Sequence, residues 1–425
     1  MDIIKLIKLI LIFLLFCNTA KSQDTLKISI GQCEAIFLQE NLLLMAERLN
    51  IDASEALIRQ ARLWDNPEIT LEHQIINRNE AGFLGFTPTD NTIFEIEQLI
   101  RIGGKRSNMI RLLELEKVQA EYRFDLLLRE FKRALRETYF SLAYLNRIEN
   151  LYKEQIDALD NILLSFSEQY ERGNISRIEV MRIHSLLLEL EEEYSIVLSK
   201  RQEAQNTMKV LLQMDNQIPL PVLPDYVEPA IMSVTESEIN NLLSVAIKSR
   251  SDLMAMHAST DAAHQMLKLE HTSAIPDLTV GLVYDRLDGP VDNYFGLSFS
   301  LPLPLWNRNQ GNIQVARYQI EQKELMLKEK EQRIRMEVAE SVQRYNRALH
   351  LLERLDGSFE EDFSNIIDVL HKQYLNGDIR LIEFVDFYAS FREGIKRNIN
   401  IQKEYLNAAE ELNFTIGQDI IQFNF

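Results

Sequence analysis

The feature that most constrains the fold is the run from Lys105 to Arg172, which contains neither proline nor glycine and has a helical pattern. At 1.5 Å per residue its ~65 residues would extend roughly 100 Å as one helix. A helix of that length cannot fold back into an ordinary globular core. The sequence therefore predicts a helix that lies along partner helices of similar length.

A twelve-residue phrase occurs twice and marks where the chain turns back. Gln169–Val180 reads QYERGNISRIEV and Gln373–Phe384 reads QYLNGDIRLIEF, at an offset of 204 residues, about half the chain. Each copy lies between two helical segments and places Gly173 or Gly377 at the reversal, because glycine accepts φ > 0 without a Cβ clash. The sequence therefore predicts two helical hairpins related by an internal duplication.

The duplication sets the predicted domain organisation. Residues 214–236 contain four prolines and form the one clear linker. The predicted repeats cover residues 23–213 and 237–425, each in the order helix, two strands, long helix, return helix. The predicted helices cover Gly31–Arg62, Lys105–Tyr170, Ser176–Gln213, Ser237–His271, Asn309–Tyr374 and Leu381–Phe414.

Short strands with two unlike faces precede each long helix. In the second half, Pro276–Asp285 and Tyr294–Leu301 alternate apolar residues with small or polar ones, and Ile69–Ile75 and Thr92–Ile100 are their first-half counterparts. Strands of about 9–10 residues with one apolar face have the dimensions of an outer-membrane β-barrel. The residues predicted to face lipid are Leu278, Val280, Leu282, Tyr284, Phe295, Leu297 and Phe299.

Four strands cannot close a barrel by themselves. An open sheet cannot enter lipid, because each unpaired backbone group in hydrocarbon costs several kcal/mol. The sequence therefore predicts a homotrimer, which would supply twelve strands and six helical hairpins around a common axis. Two alternatives stay open: the strands belong to a soluble sandwich, or the chain is a secreted coiled-coil scaffold or adhesin without a membrane barrel.

The first 22 residues have the pattern of a secretory signal peptide. Two lysines precede the apolar run Leu9–Phe16, and small residues lead to a cleavage site after Ser22. The run is shorter than the ~20 residues of a membrane span, which argues against an anchor. Cys17 leaves lipidation of a bacterial lipoprotein open as an alternative. After cleavage Cys33 is the only cysteine, so neither an intrachain disulfide nor a cysteine metal site can form.

Charge and motif content exclude several classes of function. The net charge of −18, with acidic and basic residues interspersed, leaves no basic stripe for nucleic acid. No catalytic motif is present, so we predict no enzyme activity and no cofactor. His257, His264 and His271 recur every seven residues, roughly 10.5 Å apart along a helix, which is too far for neighbours to share one ion. We therefore predict no metal site.

Four motifs in fixed order resemble the outer-membrane efflux protein (TolC) family. They are FEIEQLIRIGGKR at 94–106, IPDLTVGLVY at 275–284, LSFSLPLPLWNRNQGNIQVA at 297–316, and the paired QYxxGxIxxIE turns. The phrase PLPLWNRNQGN is most similar to the heavy-metal efflux, CzcC/CusC-like branch. The resemblance covers nearly the whole mature chain, and its specificity comes from the joint order of the motifs.

The resemblance implies a trimeric outer-membrane β-barrel, embedded in outer-membrane lipid and continued by a periplasmic α-helical barrel. A chain of this kind is the passive exit duct of a tripartite efflux or secretion system in a Gram-negative bacterium. Its partners are a periplasmic adaptor protein and an inner-membrane transporter such as an RND pump. The cargo stays open between metal ions, drugs and peptides. The resemblance places adaptor docking at the helical turns, at Gly173, Asn174, Gly377 and Asp378.

Acidic residues beyond the second turn are candidates for a gate. Glu383 and Asp386 follow Gly377 by six and nine residues, so both project from one face of the return helix. In the resembling family, acidic residues at these positions ring the closed periplasmic aperture. Three copies of each would attract cations and make gating sensitive to salt and pH. The first-half counterpart is Glu179, with Arg182 as a neutralising partner; ordinary solvated helix charges are the alternative.

Overall fold

The computed structural model describes residues 25–74, 92–214, 217–224, 226–229, 233–286, 293–355, 363–423 and 425. The predicted signal peptide and Cys17 lie outside these residues. The strands of the described part are β1 (Thr25–Ile28), β2 (Glu68–His73), β3 (Thr92–Ile100), β4 (Ile218–Pro221), β5 (Leu278–Arg286) and β6 (Tyr294–Ser300). The helices are α1 (Ile30–Glu40), α2 (Leu42–Ala61), α3 (Lys105–Glu171), α4 (Arg177–Leu212), α5 (Glu236–Ser249), α6 (Ser251–Ser273), α7 (Gln310–Leu352), α8 (Phe363–Leu375) and α9 (Leu381–Ile416).

The first long helix, α3, is unbroken as predicted. The prediction of one continuous second-half helix over Asn309–Tyr374 is wrong, because α7 ends at Leu352 and α8 begins at Phe363. The N–H groups of Arg354 and Leu355 bond to carbonyl groups three residues back instead of four. This tightening ends the α-helical ladder of α7.

Two shorter predicted helices also divide. The helix predicted over Gly31–Arg62 breaks at Asn41, whose side-chain oxygen accepts the N–H groups two and three residues ahead at 3.1 Å and caps α2. The helix predicted over Ser237–His271 breaks at Arg250, where ψ is 115° and the guanidinium contacts Asp252 at 2.7 Å. Among the helices of the described residues, none is both long and apolar enough to cross a membrane.

One antiparallel sheet joins the two halves of the chain in the order β2-β3-β5-β6. Its central pair is β3 with β5, where Thr92 stands opposite Arg286 and Ile100 opposite Leu278. Each repeat therefore contributes one pair of strands, and all four strands were predicted. Ile75, the predicted end of the first strand, lies outside the described residues.

A second, two-stranded sheet was not predicted. β1 pairs with β4 in parallel, from Thr25 opposite Ile218 to Ile28 opposite Pro221. The Tyr139 hydroxyl donates to the Val222 carbonyl at 2.7 Å and accepts its N–H at 3.0 Å. The proline-rich segment 214–236 is thus fixed in part to the start of the described chain.

The chain forms two compact units, and each takes segments from both repeats. One unit comprises Ala46–Leu126 and Arg250–Arg333, and it holds the four-stranded sheet. The other comprises Leu127–Ser249 and Ile334–Phe425, with the residues up to Met45, and it holds both helical turns. Its fully buried aromatic side chains include Tyr139, Phe140, Tyr152, Phe166, Tyr345, Phe384, Tyr388 and Tyr405.

A buried arginine ties this second unit together. Arg136 bonds to Glu34 at 2.6 Å, to Glu410 at 2.7 Å and to Asp419 at 3.0 Å. Burial raises the pKa of Glu410 to about 7, against the opposing effect of Arg136. Removing one partner of such a buried cluster leaves the other charge uncompensated. The cluster therefore fixes α1, α3, α9 and the segment after α9 to one another.

Candidate functional sites

The four-stranded sheet has one apolar face, built by the register of its strands. Leu282 of β5 stands opposite Leu297 of β6 on one side and Ile96 of β3 on the other, and Ile96 stands opposite Ile69 of β2. The row of Phe94, Tyr284 and Phe295 is apolar in the same way, whereas the row of Val280 and Phe299 includes the polar Gln98. The residues predicted to face lipid therefore share this face: Leu278, Val280, Leu282, Tyr284, Phe295, Leu297 and Phe299.

This apolar face is open to solvent in the single chain. Phe295 is 77% exposed, Phe299 is 64% exposed, and Leu71 at the far side of the sheet is 68% exposed. Single exposed apolar residues are normal on a protein surface, whereas a continuous apolar face marks a surface that another phase or another protein covers.

The opposite face of the sheet carries acidic and small residues together with the apolar Ile93, Leu99 and Val283. Glu68 of β2 stands opposite Glu97 of β3, which stands opposite Gly281 of β5. On β6, the Ser298 hydroxyl donates to a carboxylate oxygen of Glu95 at 3.3 Å. Such a face suits water, as in the polar interior of a membrane barrel.

The sheet is open at both edges. Within the described part of the chain, β2 and β6 each have one strand neighbour, which leaves a row of backbone N–H and C=O groups on each outer side. An edge of this kind is costly in hydrocarbon and pairs readily with another strand. Both edges of the sheet are therefore available to pair with further strands.

The two repeated turns have the same backbone geometry. Gly173 and Gly377 have φ of 78° and 80°, which confirms the glycine prediction. Each glycine N–H bonds three residues back, and the following N–H, of Asn174 or Asp378, bonds five residues back, all at 2.9 Å. These are two Schellman motifs, which satisfy the last carbonyl groups of a helix. Both turns are exposed.

One hydrogen bond joins the second hairpin to the first near these turns. The Tyr374 hydroxyl of α8 donates to Glu179 Oε1 of α4 at 3.2 Å. The Tyr374 ring stacks on Phe166 of α3, with ring centroids 4.7 Å apart. Sequence reasoning did not single out Tyr374, although the shared QY of the repeated phrase is a signal that could have found it.

The charge states of this pair are set by their surroundings. Hydrogen bonds from Ser176, whose N–H lies 2.7 Å from the carboxylate, and from Tyr374 hold the pKa of Glu179 below its usual range. Burial, together with Glu179, raises the pKa of Tyr374 to about 12. A neutral phenol therefore faces a carboxylate throughout the neutral pH range.

The other predicted gate residues have different surroundings. Glu383 accepts hydrogen bonds from the Arg380 guanidinium at 3.0 Å and from its N–H at 2.8 Å, and these bonds lower the pKa of Glu383. Asp386 and Arg182 are exposed. In the structure, Glu179 thus bonds to Ser176 and to Tyr374 of the other hairpin, whereas Glu383 bonds to Arg380 at the start of its own helix.

The described residues offer no group of three or more histidine, cysteine or acidic side chains that could hold a metal ion. Of the three histidines in α6, His264 lies 3.7 Å from Glu324 of α7. Two half-exposed ligands are fewer than the three or four of a protein zinc site.

An open sheet with an apolar face and a polar face, joined to two long helical hairpins, is the wall segment of an outer-membrane channel. The model of the outer membrane efflux protein family matches residues 36–212 and, separately, residues 242–418. The chain belongs to this family, whose members are trimeric outer-membrane channels that work with adaptors and inner-membrane pumps. These matches confirm the predicted family and the mainly helical fold with a membrane sheet and two repeats. They also confirm the predicted outer-membrane location with a periplasmic extension.

Individual relatives are distant. The chain is 23% identical over 279 residues to the cobalt-zinc-cadmium resistance protein CzcC of Cupriavidus metallidurans, a match that covers 64% of this chain and 62% of that protein. It is 14% identical to the solved structure of CusC, with a TM-score of 0.72 and 92% of each chain covered. The outer membrane protein VceC of Vibrio cholerae is likewise 14% identical, with a TM-score of 0.70, 92% of this chain covered and 96% of that chain. The solved structures share the fold.

Proposed function

We propose that this chain is the passive exit duct of a tripartite efflux system, with its sheet in lipid and its helical turns as a gate. The observation that carries the proposal is the exposed apolar face of a sheet whose other face is acidic and whose edges are open. Lipid can cover the first face, water can fill the space beside the second, and further copies of the chain can pair the edges.

Edge pairing leads to the homotrimer. If β6 of one copy pairs with β2 of the next, three copies supply twelve strands and close the wall, which removes every edge. The apolar rows would continue across the join, since Leu297 and Phe299 of β6 would meet the side of the sheet that carries Ile69 and Leu71.

The gate proposal rests on contacts between the hairpins. Tyr374 of α8 bonds to Glu179 of α4 at 3.2 Å, and further along α4, Glu189 lies 3.3 Å from Arg392 of the return helix α9. These contacts hold α8 and α9 of the second hairpin to α4 of the first. Three copies of Glu383 and Asp386 around the axis would form the cation-selective ring of the aperture, and the exposed turns would receive a periplasmic adaptor.

The cargo is proposed from one relative, which is named for cobalt, zinc and cadmium resistance. We therefore propose export of divalent metal ions, driven by an inner-membrane transporter such as an RND pump. The acidic face of the sheet is consistent with cations passing beside it.

Single-channel conductance in planar bilayers tests the aperture. Replacing Glu383 and Asp386 together by alanine should lower cation conductance at low salt and reduce the preference for cations over anions, because the proposed ring no longer concentrates cations at the aperture. Arg335→Gln, an exposed change elsewhere on α7, is the matched control. Conductance and salt response that match the wild type would remove both carboxylates from the pore.

Membrane insertion tests the lipid-facing assignment. Val280→Asp places a charge on the apolar face and should prevent insertion into vesicles, whereas Thr279→Asp on the acidic face should insert. A Val280→Asp chain that remained a trimeric channel would contradict the assignment. A wild-type chain that stayed water-soluble and monomeric without detergent would favour the scaffold alternative.

A further inference from the structure

Both tryptophans of the chain lie at one end of the four-stranded sheet. Trp64 precedes β2 by four residues and Trp306 follows β6 by six, and the strand register places the start of β2 and the end of β6 at the same end. The helices join the sheet at this end. Trp64 is 69% exposed and Trp306 is 86% exposed, although tryptophan is a costly side chain to leave in water.

Basic residues surround these tryptophans in a chain that is otherwise acidic. Residues 101–111 read RIGGKRSNMIR, with four basic residues and no acidic one, whereas the whole chain has a net charge of −18. The Arg106 guanidinium carbon lies 4.6 Å from the centre of the Trp64 ring. Arg308 follows Trp306 by two residues, and its Nε donates to the Pro304 carbonyl at 3.2 Å.

Arg106 and Arg308 differ from the neighbouring cations in having no carboxylate beside them within the described part of the chain. Arg101 lies 2.7 Å from Asp65, and Lys105 lies 2.8 Å from Asp277. Each tryptophan therefore has one arginine near it whose charge is not neutralised by the described residues. An anion from outside the chain would complete these two pairs.

The lipid-facing row of β6 continues toward this end. After Phe299 the alternation extends to Leu301 and Leu303, which is 70% exposed, while the intervening Pro302 lacks an N–H for edge pairing. Tryptophan is enriched where the hydrocarbon of a membrane meets its headgroups. The proposed lipid-facing row therefore reaches the end of the sheet that carries both tryptophans.

We propose that Trp64, Arg106, Trp306 and Arg308 form a headgroup belt that binds anionic phospholipid in the periplasmic leaflet of the membrane. This inference rests on the proposed insertion of the sheet. The indole rings lie at the level of the headgroups, and the guanidinium groups bind the lipid phosphate, for which their planar donor array is suited.

Trimer closure favours lipid over a second protein copy as the partner of the belt. Pairing β6 of one copy with β2 of the next brings the end that carries Arg308 toward the end that carries the next copy's Arg106. Two like charges there repel each other unless an anion lies between them. A lipid phosphate supplies that anion, and each Lys or Arg near an anionic membrane surface strengthens the attraction.

Tryptophan fluorescence reports on this belt alone, because the chain has two tryptophans and both belong to it. The full-length trimer is placed in phosphatidylcholine vesicles that contain lipid brominated near the headgroup or deep in the acyl chain. The brominated lipid is either phosphatidylglycerol or phosphatidylcholine. We expect the shallow bromines to quench more than the deep ones, and phosphatidylglycerol to bind the belt roughly fivefold more tightly than phosphatidylcholine.

Charge variants separate the belt from general membrane contact. Arg106→Gln with Arg308→Gln should reduce the preference for phosphatidylglycerol to about one and leave the depth of quenching unchanged. Lysine at both positions should keep most of the preference, and Arg335→Gln should keep all of it. Channel conductance in the same vesicles shows that each variant is folded and inserted.

Three results would overturn the headgroup belt while the channel stands. The first is a conducting wild-type channel quenched equally by both lipids, and the second is a glutamine double variant that keeps its preference. The third is a conducting channel whose tryptophans respond to neither brominated lipid, as expected if a neighbouring copy covers them. A chain without conductance or lipid quenching would refute the membrane-inserted sheet and the belt together.

Discussion

Removing the hydroxyl of Tyr374 tests the gate most directly. In Tyr374→Phe the ring keeps its stacking on Phe166, with centroids 4.7 Å apart in the wild type, and Glu179 keeps the Ser176 N–H at 2.7 Å. The change therefore removes the bond between the hairpins and leaves no buried polar group without a partner. A rise in the open probability of the channel is expected.

The size of the effect follows from the type of bond. A hydrogen bond to a charged group contributes about 1.5–3 kcal/mol, and since both side chains are partly exposed, about 1 kcal/mol per chain is reasonable here. If each chain opens alone, the ratio of open to closed states rises about fivefold. If the three chains open together, the closed state loses about 3 kcal/mol of stabilisation and the ratio of open to closed states rises roughly 150-fold.

The assay is single-channel recording of the purified trimer in planar bilayers. Tyr170→Phe is the matched control, because Tyr170 occupies the equivalent position in the first hairpin and is 44% exposed. Tyr170→Phe should behave as the wild type. An open probability for Tyr374→Phe that equals the wild-type value would refute the role of this bond in gating.

The same bond predicts a pH response of known sign. Because the pKa of Glu179 is lowered by its hydrogen bonds, their stabilisation is complete above the usual glutamate pKa of about 4.3 and is lost as the pH falls through the lowered value. The wild-type channel should therefore gain open probability below about pH 4. Tyr374→Phe should lack the part of this gain that comes from the Tyr374 bond.

Two further substitutions test other parts of the second unit. Burial raises the pKa of Glu410 to about 7, so the folded chain holds a proton that the unfolded chain has released, and stability should fall as the pH rises from about 4.3 to about 7. Glu410→Gln keeps an acceptor for Arg136 and should remove this pH-dependent part of the stability, up to about 3 kcal/mol. Thermal unfolding in detergent at pH 5 and pH 8 measures it, and the exposed control Glu404→Gln should keep the wild-type pH dependence. An unchanged pH dependence in Glu410→Gln would contradict the raised pKa. At Gly377, φ is 80° and an added Cβ meets no atom within 4 Å, so Gly377→Ala should weaken the turn by about 1–2 kcal/mol through backbone strain alone. Gly377→Asn should recover most of this loss, and hydrogen exchange of the turn amides measures both; equal exchange in alanine and asparagine variants would exclude backbone strain as the cause.

Local pattern was sufficient for much of the fold. The unbroken helix α3, the two glycine turns and the alternation of β5 and β6 were all readable, because each depends on neighbours within a few residues. The apolar row that includes Leu282 and Leu297 followed from the same alternation, since a strand turns successive side chains to opposite faces. The duplicated phrase gave the two hairpins without any knowledge of their packing.

Other features depend on a capping side chain or on residues far apart in sequence, and hydrophobic periodicity does not show them. The breaks at Asn41 and Arg250 lie within helical patterns, and β1 pairs with a proline-rich segment about 190 residues away, at Ile218. Each of these features can be recognised only when its tertiary partner or its capping side chain is known.

The sequence by itself determined the repeats, the turn positions and the two faces of each strand, because sterics and periodicity act over a few residues. Only the tertiary structure decided which strand lies beside which, and which side chains meet. The bond from Tyr374 to Glu179 spans 195 residues, and the contact of Arg106 with Trp64 spans a whole pair of strands. Such pairs exist only when long-range packing has fixed the distance between elements.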